Sequence, residues 1–266
     1  MRRSERGVAL LIVLLVTALL IALIFEFSYA TRISLNSAIN FRDSQRAYFL
    51  ARSGIYAFVK YGAQLRDNYI PQGEWGVVPL ISDGDTEVRI KWEDESGKIS
   101  IPIVTNSNDA YKRLQQLFDI KEINQDVLDS KIVDKQYFRL LSELHQVMSD
   151  EEYNKVKDLL TVAQTQKINA NTASLEVLQS LCRSLGKEDG VARLMITKRN
   201  SQPFTLQSEI VNMPGMDTMV ASYLGVTSSL FKVYAYATVG GYTKQIEAIV
   251  NVDNPQRPVF SYWRSL

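Results

Sequence analysis

Eighteen consecutive residues, Val8 to Phe25, read VALLIVLLVTALLIALIF, and Thr17 is the only polar one among them. A helix that is apolar all round must be buried, in protein or in lipid. This run would cover about 27 Å as a helix, close to the hydrocarbon thickness of a bilayer. Arg2, Arg3 and Arg6 precede it and Glu26 ends it. Clustered arginines keep a short N-terminus on the cytoplasmic side, so the remainder is expected to be exported.

Three readings of this segment compete. One is a plain single-pass anchor. Another is a secretory signal peptide, with Ser28-Tyr29-Ala30 as a small-x-small cleavage site. The third is a prepilin-type leader, in which the basic peptide ends at Gly7. Cleavage there, on the cytoplasmic side, leaves the apolar helix on the mature chain. The run exceeds the roughly 7–15 residues of a signal-peptide core, and neither Gly nor Pro interrupts it before Ala30. The third reading is favoured, because the helical pattern continues past the membrane. No proline occurs from Phe27 to Gly62, and Gly54 is the only glycine before Gly62. Tyr48, Phe49, Ala51, Ile55, Phe58 and Val59 recur at helical spacing, among Arg32, Arg42, Arg46, Arg52 and Lys60. An apolar half suits packing among neighbouring helices, and an amphipathic half suits packing on the chain's own head.

The segment Arg6 to Leu15, RGVALLIVLL, followed by Gln45 to Gly54, QRAYFLARSG, resembles the start of type IV pilins and type II secretion pseudopilins. It is most similar to the minor pseudopilin K family. The resemblance implies cleavage after Gly7 by a prepilin peptidase and N-methylation of Val8. Ile12 then occupies mature position five. Most pilins carry Glu there, thought to neutralise the N-terminal amine of an adjacent subunit. Its absence is a trait of the K subunit and implies a subunit that need not dock beneath another, so sits at the tip. The implied partners are minor pseudopilins I and J, the major pseudopilin and the inner-membrane assembly platform.

Beyond Gly62, Pro71, Gly73, Gly76 and Pro79 mark an irregular stretch. Thr86 to Trp92 alternates as a half-buried strand, Glu93 to Gly97 reads as a polar turn, and Lys98 to Ile103 reads as a strand returning in a hairpin. Asp94-Glu95-Ser96-Gly97-Lys98 resembles a recurring segment of the K family. Residues from Asn108 to about Leu224 are expected to be mostly helical. Asp109 can cap one helix, Gln136 to Met148 aligns an apolar face, Ser149 with Glu152 forms a capping box, and Asn171 or Thr172 starts another helix. Phe231 to Val239 and Tyr242 to Val252 alternate around Gly240-Gly241, a tight-hairpin signal.

The expected fold is therefore α+β. A pilin-like long helix packs on an antiparallel sheet, and a large all-α domain is inserted between strands. The divisions are a leader at 1–7, the helix at 8–62, the first part of the αβ domain at 63–104, the insertion at 105–226, closing strands at 227–254 and a tail at 255–266.

Two segments inside the insertion, Ile168 to Leu178 and Arg199 to Met216, resemble tandem helix-hairpin-helix repeats, which also occur in DNA-binding proteins. Their turns, Arg183 to Lys187 and Pro214 to Asp217, are degraded from the glycine-rich form that lets backbone N–H groups reach a phosphate. From Lys167 to Gly225 six basic residues face five acidic ones. Phosphate neutralisation dominates DNA affinity, so nucleic acid is not expected as a partner and a packing role is favoured. The whole chain, with 30 Lys and Arg against 29 Asp and Glu, offers no global basic field either.

Catalysis finds little material. One histidine and one cysteine exclude multi-histidine zinc sites and cysteine metal clusters. No phosphate-binding loop, nucleophile elbow or His-Glu-x-x-His motif occurs. His145 reads as a surface or half-buried helical residue and Cys182 as a small core hydrophobe. Asp83, Asp85, Glu93, Asp94 and Glu95 read as solvated turn acids, with calcium a minority alternative and no ligand assigned. The expectation is a non-enzymatic, single-pass bacterial inner-membrane protein without cofactor, its N-terminus cytoplasmic and its C-terminal part periplasmic. The rivals are a minor pilin of a type IV pilus and an anchored DNA-binding protein.

Overall fold

In the computed structural model, Arg2–Arg66 forms one unbroken α-helix, α1. At 1.5 Å per residue it is about 98 Å long. No proline interrupts these 65 residues, and the first third is rich in leucine, a strong helix former. The structure describes residues 2–66, 76–77, 84–101, 108–128, 138, 140–165, 167–254 and 256–266. Pro71, Gly73, Pro79, Asp83 and Tyr137 lie outside them.

α1 stacks on a five-stranded antiparallel sheet. Its strands are β1 (Gly76–Val77), β2 (Thr86–Asp94), β7 (Leu230–Val239), β8 (Tyr242–Asn251) and β9 (Val259–Ser265), neighbours in that order. β2 and β7 pair over their full shared length, from Thr86 opposite Val239 to Asp94 opposite Phe231. Alternation puts Phe231, Val233, Ala235, Ala237 and Val239 on the face that meets α1. α1 answers with Ala47, Ala51, Ile55, Phe58 and Val59. Gly54 lets the two surfaces touch: a Cβ there would lie 3.2 Å from both Ala235 Cβ and Val88 Cγ1. Gly240 and Gly241 form the expected two-residue turn, at φ of +55° and +83°. A Cβ on Gly240 would come within 2.7 Å of the Asp43 carboxylate, so the hairpin tip rests on α1.

The chain between β2 and β7 builds a second lobe with its own core. Its elements are β3 (Ile99–Ser100), α2 (Asn108–Ile120), a 3₁₀ turn (Leu141–Gln146), α3 (Asp150–Val156), β4 (Leu160–Thr161), β5 (Ile168–Asn169), α4 (Leu175–Ser184), α5 (Gly190–Ser201), α6 (Gln207–Val211), α7 (Thr218–Ser222) and β6 (Leu224–Gly225). Leu114, Leu117, Phe118, Leu144, Leu178 and Phe204 are among the fully buried side chains at its centre. The fold is α+β, with a mostly helical lobe inserted into a helix-on-sheet unit.

Four local expectations change. Lys98 to Ile103 does not return beside β2. The turn at Ser96 and Gly97 sends the chain off the sheet, β7 fills the place beside β2, and β3 pairs in parallel with β4. Asp94 and Glu95 are not solvated turn acids, being 3% and 2% exposed. The helix expected over Gln136 to Met148 is described only as the 3₁₀ turn at Leu141–Gln146. α4 is capped by Ser174, whose hydroxyl accepts from Val177 N, because Asn171 and Thr172 are engaged elsewhere. A fifth difference lies at the end of the chain. The segment read as a tail carries β9, antiparallel to β8. Ser149 and Glu152 do form the expected capping box, and Asp109 sits in the first turn of α2 rather than ahead of it.

Candidate functional site

The candidate residues at the N-terminus fall in α1. Gly7, Val8 and Ile12 all lie within it. From Val8 through Arg42 every residue is exposed, and Asp43 is the first to be buried. Val8 to Phe25 therefore carries its full apolar surface with no protein over it. That is costly in water and favourable in hydrocarbon. It is the one span among the described residues long and apolar enough to cross a membrane.

The second feature is the joint between the lobes. Asp94 ends β2, and its carboxylate gathers donors from distant parts of the chain. Oδ1 accepts from Ser96 N at 2.7 Å, and Oδ2 accepts from Asn169 Nδ2 at 2.9 Å and from the hydroxyls of Thr172 and Ser228. Ser228 leads into β7, and Asn169 and Thr172 belong to the inserted lobe. One buried carboxylate thus ties both crossings of the chain to the lobe. A buried carboxylate persists only with such satisfaction. Gly97 passes so close that a Cβ would meet Thr172 Oγ1 at 2.6 Å. Asn171 completes the seam, donating to the Phe204 and Val226 carbonyls and accepting from Phe204 N. The Asp-Glu-Ser-Gly-Lys segment is therefore a joint. Its Lys98 pairs with the buried Glu95 at 2.6 Å.

Above the joint, a cleft of about 360 Å³ separates the outer sheet face from the lobe. Its charges are four cations, Lys98, Lys157, Lys232 and Arg264, and four carboxylates, Glu93, Glu95, Asp158 and Glu247. Lys232 and Glu247 meet at 2.6 Å. Burial pushes the Lys232 ammonium down, but hydrogen bonds with Glu247 and Tyr234 outweigh it and hold the pKa above its usual value. Burial pushes the Tyr234 phenol up to about 12. These groups neutralise one another, so the cleft walls resemble a wetted lobe interface rather than a pocket for a charged ligand.

The helix-hairpin-helix-like turns use their charges internally. Gly186 and Gly215 take positive φ, as turns after α4 and α6 require. Lys187 of the first turn pairs with Asp217 of the second at 2.7 Å. Asp217 also caps α7 by accepting from Met219 N. Arg183 grips Asp189 through Nε and Nη2, and this holds the Asp189 carboxyl below its usual range.

Among the described residues no three His, Cys, Asp or Glu side chains gather as a metal site. His145 is exposed, bonded to Asp150 at 2.8 Å and stacked on Tyr153. Cys182 is buried in α4, and burial pushes its thiol up to about 11, away from reactivity. Sequence reasoning passed over Asn169 and Ser228 and gave Asn171 only the start of a helix. The signal for the two asparagines was their alternation with Ile168, Ala170 and the Thr172-Ala173 pair. Nothing local marked Ser228.

No protein-family model and no curated protein sequence matches the chain. A solved structure does resemble it. A chain of the GspK-GspI-GspJ complex from the enterotoxigenic Escherichia coli type 2 secretion system superposes with a TM-score of 0.62. The fold is GspK-like. The match covers 86% of this chain and 99% of that one, at 12% sequence identity.

Proposed function

We propose that this chain is a minor pseudopilin of the K type, a structural subunit without a catalytic step. It is anchored in a bacterial inner membrane by Val8–Phe25, N-terminus cytoplasmic and both lobes periplasmic. A prepilin peptidase cuts after Gly7, and the new amine at Val8 is methylated. The mature protein joins minor pseudopilins I and J at the tip of a pseudopilus, above the major pseudopilin, on an inner-membrane assembly platform. There it starts and caps the filament that drives folded proteins across the outer membrane. Ile12 supplies no carboxylate for an amine of a neighbour, which fits a subunit with nothing above it. The inserted lobe adds bulk that a filament interior would not take.

One observation carries the reading. A single helix leaves Val8 to Arg42 bare, apolar as far as Phe25, and packs Ala51, Ile55, Phe58 and Val59 against a GspK-like sheet. The test is the intact mass and N-terminal peptide mass of the protein from its native membrane. A methylated chain starting at Val8 is expected. A chain starting at Thr31 would make it a secreted protein and remove the helix on which the reading depends.

A further inference from the structure

The outer strand of the sheet, β9, pairs with β8 on one side, and no described strand lies on its other side. Leu266 and Gln245 exchange both backbone hydrogen bonds, at 2.8 and 3.4 Å. Such pairs alternate along an antiparallel ladder. Arg264 and Tyr262, opposite Glu247 and Ile249, therefore also turn their N–H and C=O toward β8, and Trp263 and Ser265 turn theirs outward. An open row of this kind is a template for another strand, and natural edges are usually blunted with proline, lysine or a bulge. Val259–Ser265, VFSYWRS, has no proline and no lysine. Its irregularity at Ser261 leaves Tyr262 to Leu266 in regular pairing.

Charge and shape at this edge say what would pair there. The cleft charges balance in number but not in pairing. Lys98 takes both Glu93 and Glu95, and Lys232 takes Glu247. Asp158 is the one cleft carboxylate left, against two cations, Lys157 and Arg264. Arg264 is exposed and has no ion-pair partner among the described residues. Beside Tyr262, on the sheet face that Arg264 shares, a largely apolar hollow of about 560 Å³ opens among Phe138, Leu140, Val162 and Ile249. Trp263, from the other face of β9, lines it as well, so the hollow reaches round to the open edge. Side chains on one face of a strand recur every second residue. A strand laid beside β9 would set one side chain by Arg264 and the next on that face by Tyr262.

We propose that β9 docks an extended segment of a different protein as a sixth strand, one that sets Asp or Glu beside Arg264 and a large apolar side chain two residues away in the hollow by Tyr262. Main-chain hydrogen bonds with Trp263 and Ser265 supply the affinity, and those two side chains supply the selectivity. A second copy of this chain is the wrong occupant. Edge to edge, its β9 brings no acid. Antiparallel pairing of two copies also needs a two-fold axis normal to the sheet, which reverses α1 and points the two apolar spans in opposite directions. The site does not depend on the assembly reading, which rests on α1 and the fold.

The probe is a phage-displayed library of random heptapeptides, panned on the full chain solubilised in detergent. Enriched peptides are expected to share an acid and a large apolar residue two positions apart. Bound, they should slow amide hydrogen exchange at Trp263 and Ser265, read residue by residue by mass spectrometry. Ser265→Pro removes an outward N–H and no bond to β8. It should weaken the selected peptides at least ten-fold, where Ser265→Ala keeps their affinity. Arg264→Glu should switch selection from acidic to basic peptides. Were Ser265→Pro to melt lower than Ser265→Ala, the exchange pattern and the Arg264→Glu switch would decide. Failure to enrich any peptide, peptides without the acid, protection elsewhere on the sheet, or selection indifferent to Arg264→Glu would each overturn the proposal.

Discussion

Asp94 shows how much one residue can decide. Its carboxylate satisfies Asn169, Thr172, Ser228 and the Ser96 amide in a site almost closed to water. Asp94→Ala would leave the buried Ser96 amide and Ser228 hydroxyl without this acceptor, each costing about 1–3 kcal/mol before relaxation. With partial relaxation we expect Asp94→Ala to lose about 3 kcal/mol of stability, read as a lower denaturant midpoint for the detergent-solubilised protein. Ser142→Ala, on the exposed 3₁₀ turn, serves as the neutral control. Gly240 is a second such position. Alanine there would meet a positive φ and the Asp43 carboxylate together, so Gly240→Ala should cost about 1–3 kcal/mol by the same assay. The two glycines of that turn were legible in the sequence, since Gly-Gly between alternating runs permits little else. The burial of Asp94 was not. A polar stretch between strands looks the same whether water or Asn169 receives it, and the side-chain donors come from 75 to 134 residues away.

At the scale of elements, α1 and β7 approach as closely as they do because Gly54 has no side chain. Gly54→Leu should force the helix off the sheet and cost about 1–3 kcal/mol, again as a shifted denaturant midpoint, with the membrane span untouched. β7 was readable because its two faces meet such different surroundings that buried and half-buried residues alternate along it. β9 was not, for a reason its own register shows. A shift in pairing at Ile249 and Val250 sets Tyr262 opposite the first and Phe260 opposite the second, and Ser261 falls between. The period-two pattern breaks there, so Val259 to Ser265 reads as a tail. β3 escaped notice as a lobe strand because two residues of pairing carry no periodicity at all. The turn between α4 and α5 makes a titratable prediction. Arg183, hydrogen-bonded to Asp189, depresses that carboxyl in the folded state. A depressed folded pKa adds stability above the unfolded value and loses it as pH falls through the folded one. Thermal melts of wild type should therefore fall as pH drops below about 4, and Asp189→Asn should flatten that slope while lowering stability at neutral pH.

Taken whole, the molecule is a rod about 98 Å long, greasy over Val8 to Phe25, carrying two lobes near its far end. Ile12 lies in the bare part of the rod. A carboxylate at the centre of a membrane helix costs about 2.5–3.5 kcal/mol on insertion scales, unless another group neutralises it. Ile12 carries no such cost, so this helix is stable in lipid without a neighbour's amine. If position five serves only the stacking of subunits, its side chain should be invisible to the peptidase proposed to cut between Gly7 and Val8. Ile12→Glu should then be cut and methylated as fully as wild type, with a chain starting at Val8. Its residual cost should appear instead as weaker retention in the bilayer or as new pairing with another subunit's N-terminus. The N-terminal peptide mass, measured on membranes at equal expression, decides this. An uncleaved Ile12→Glu chain would mean that the peptidase itself reads position five. Isoleucine there would then say nothing about what lies above the subunit in a filament, and the tip assignment would have to rest on the lobe alone.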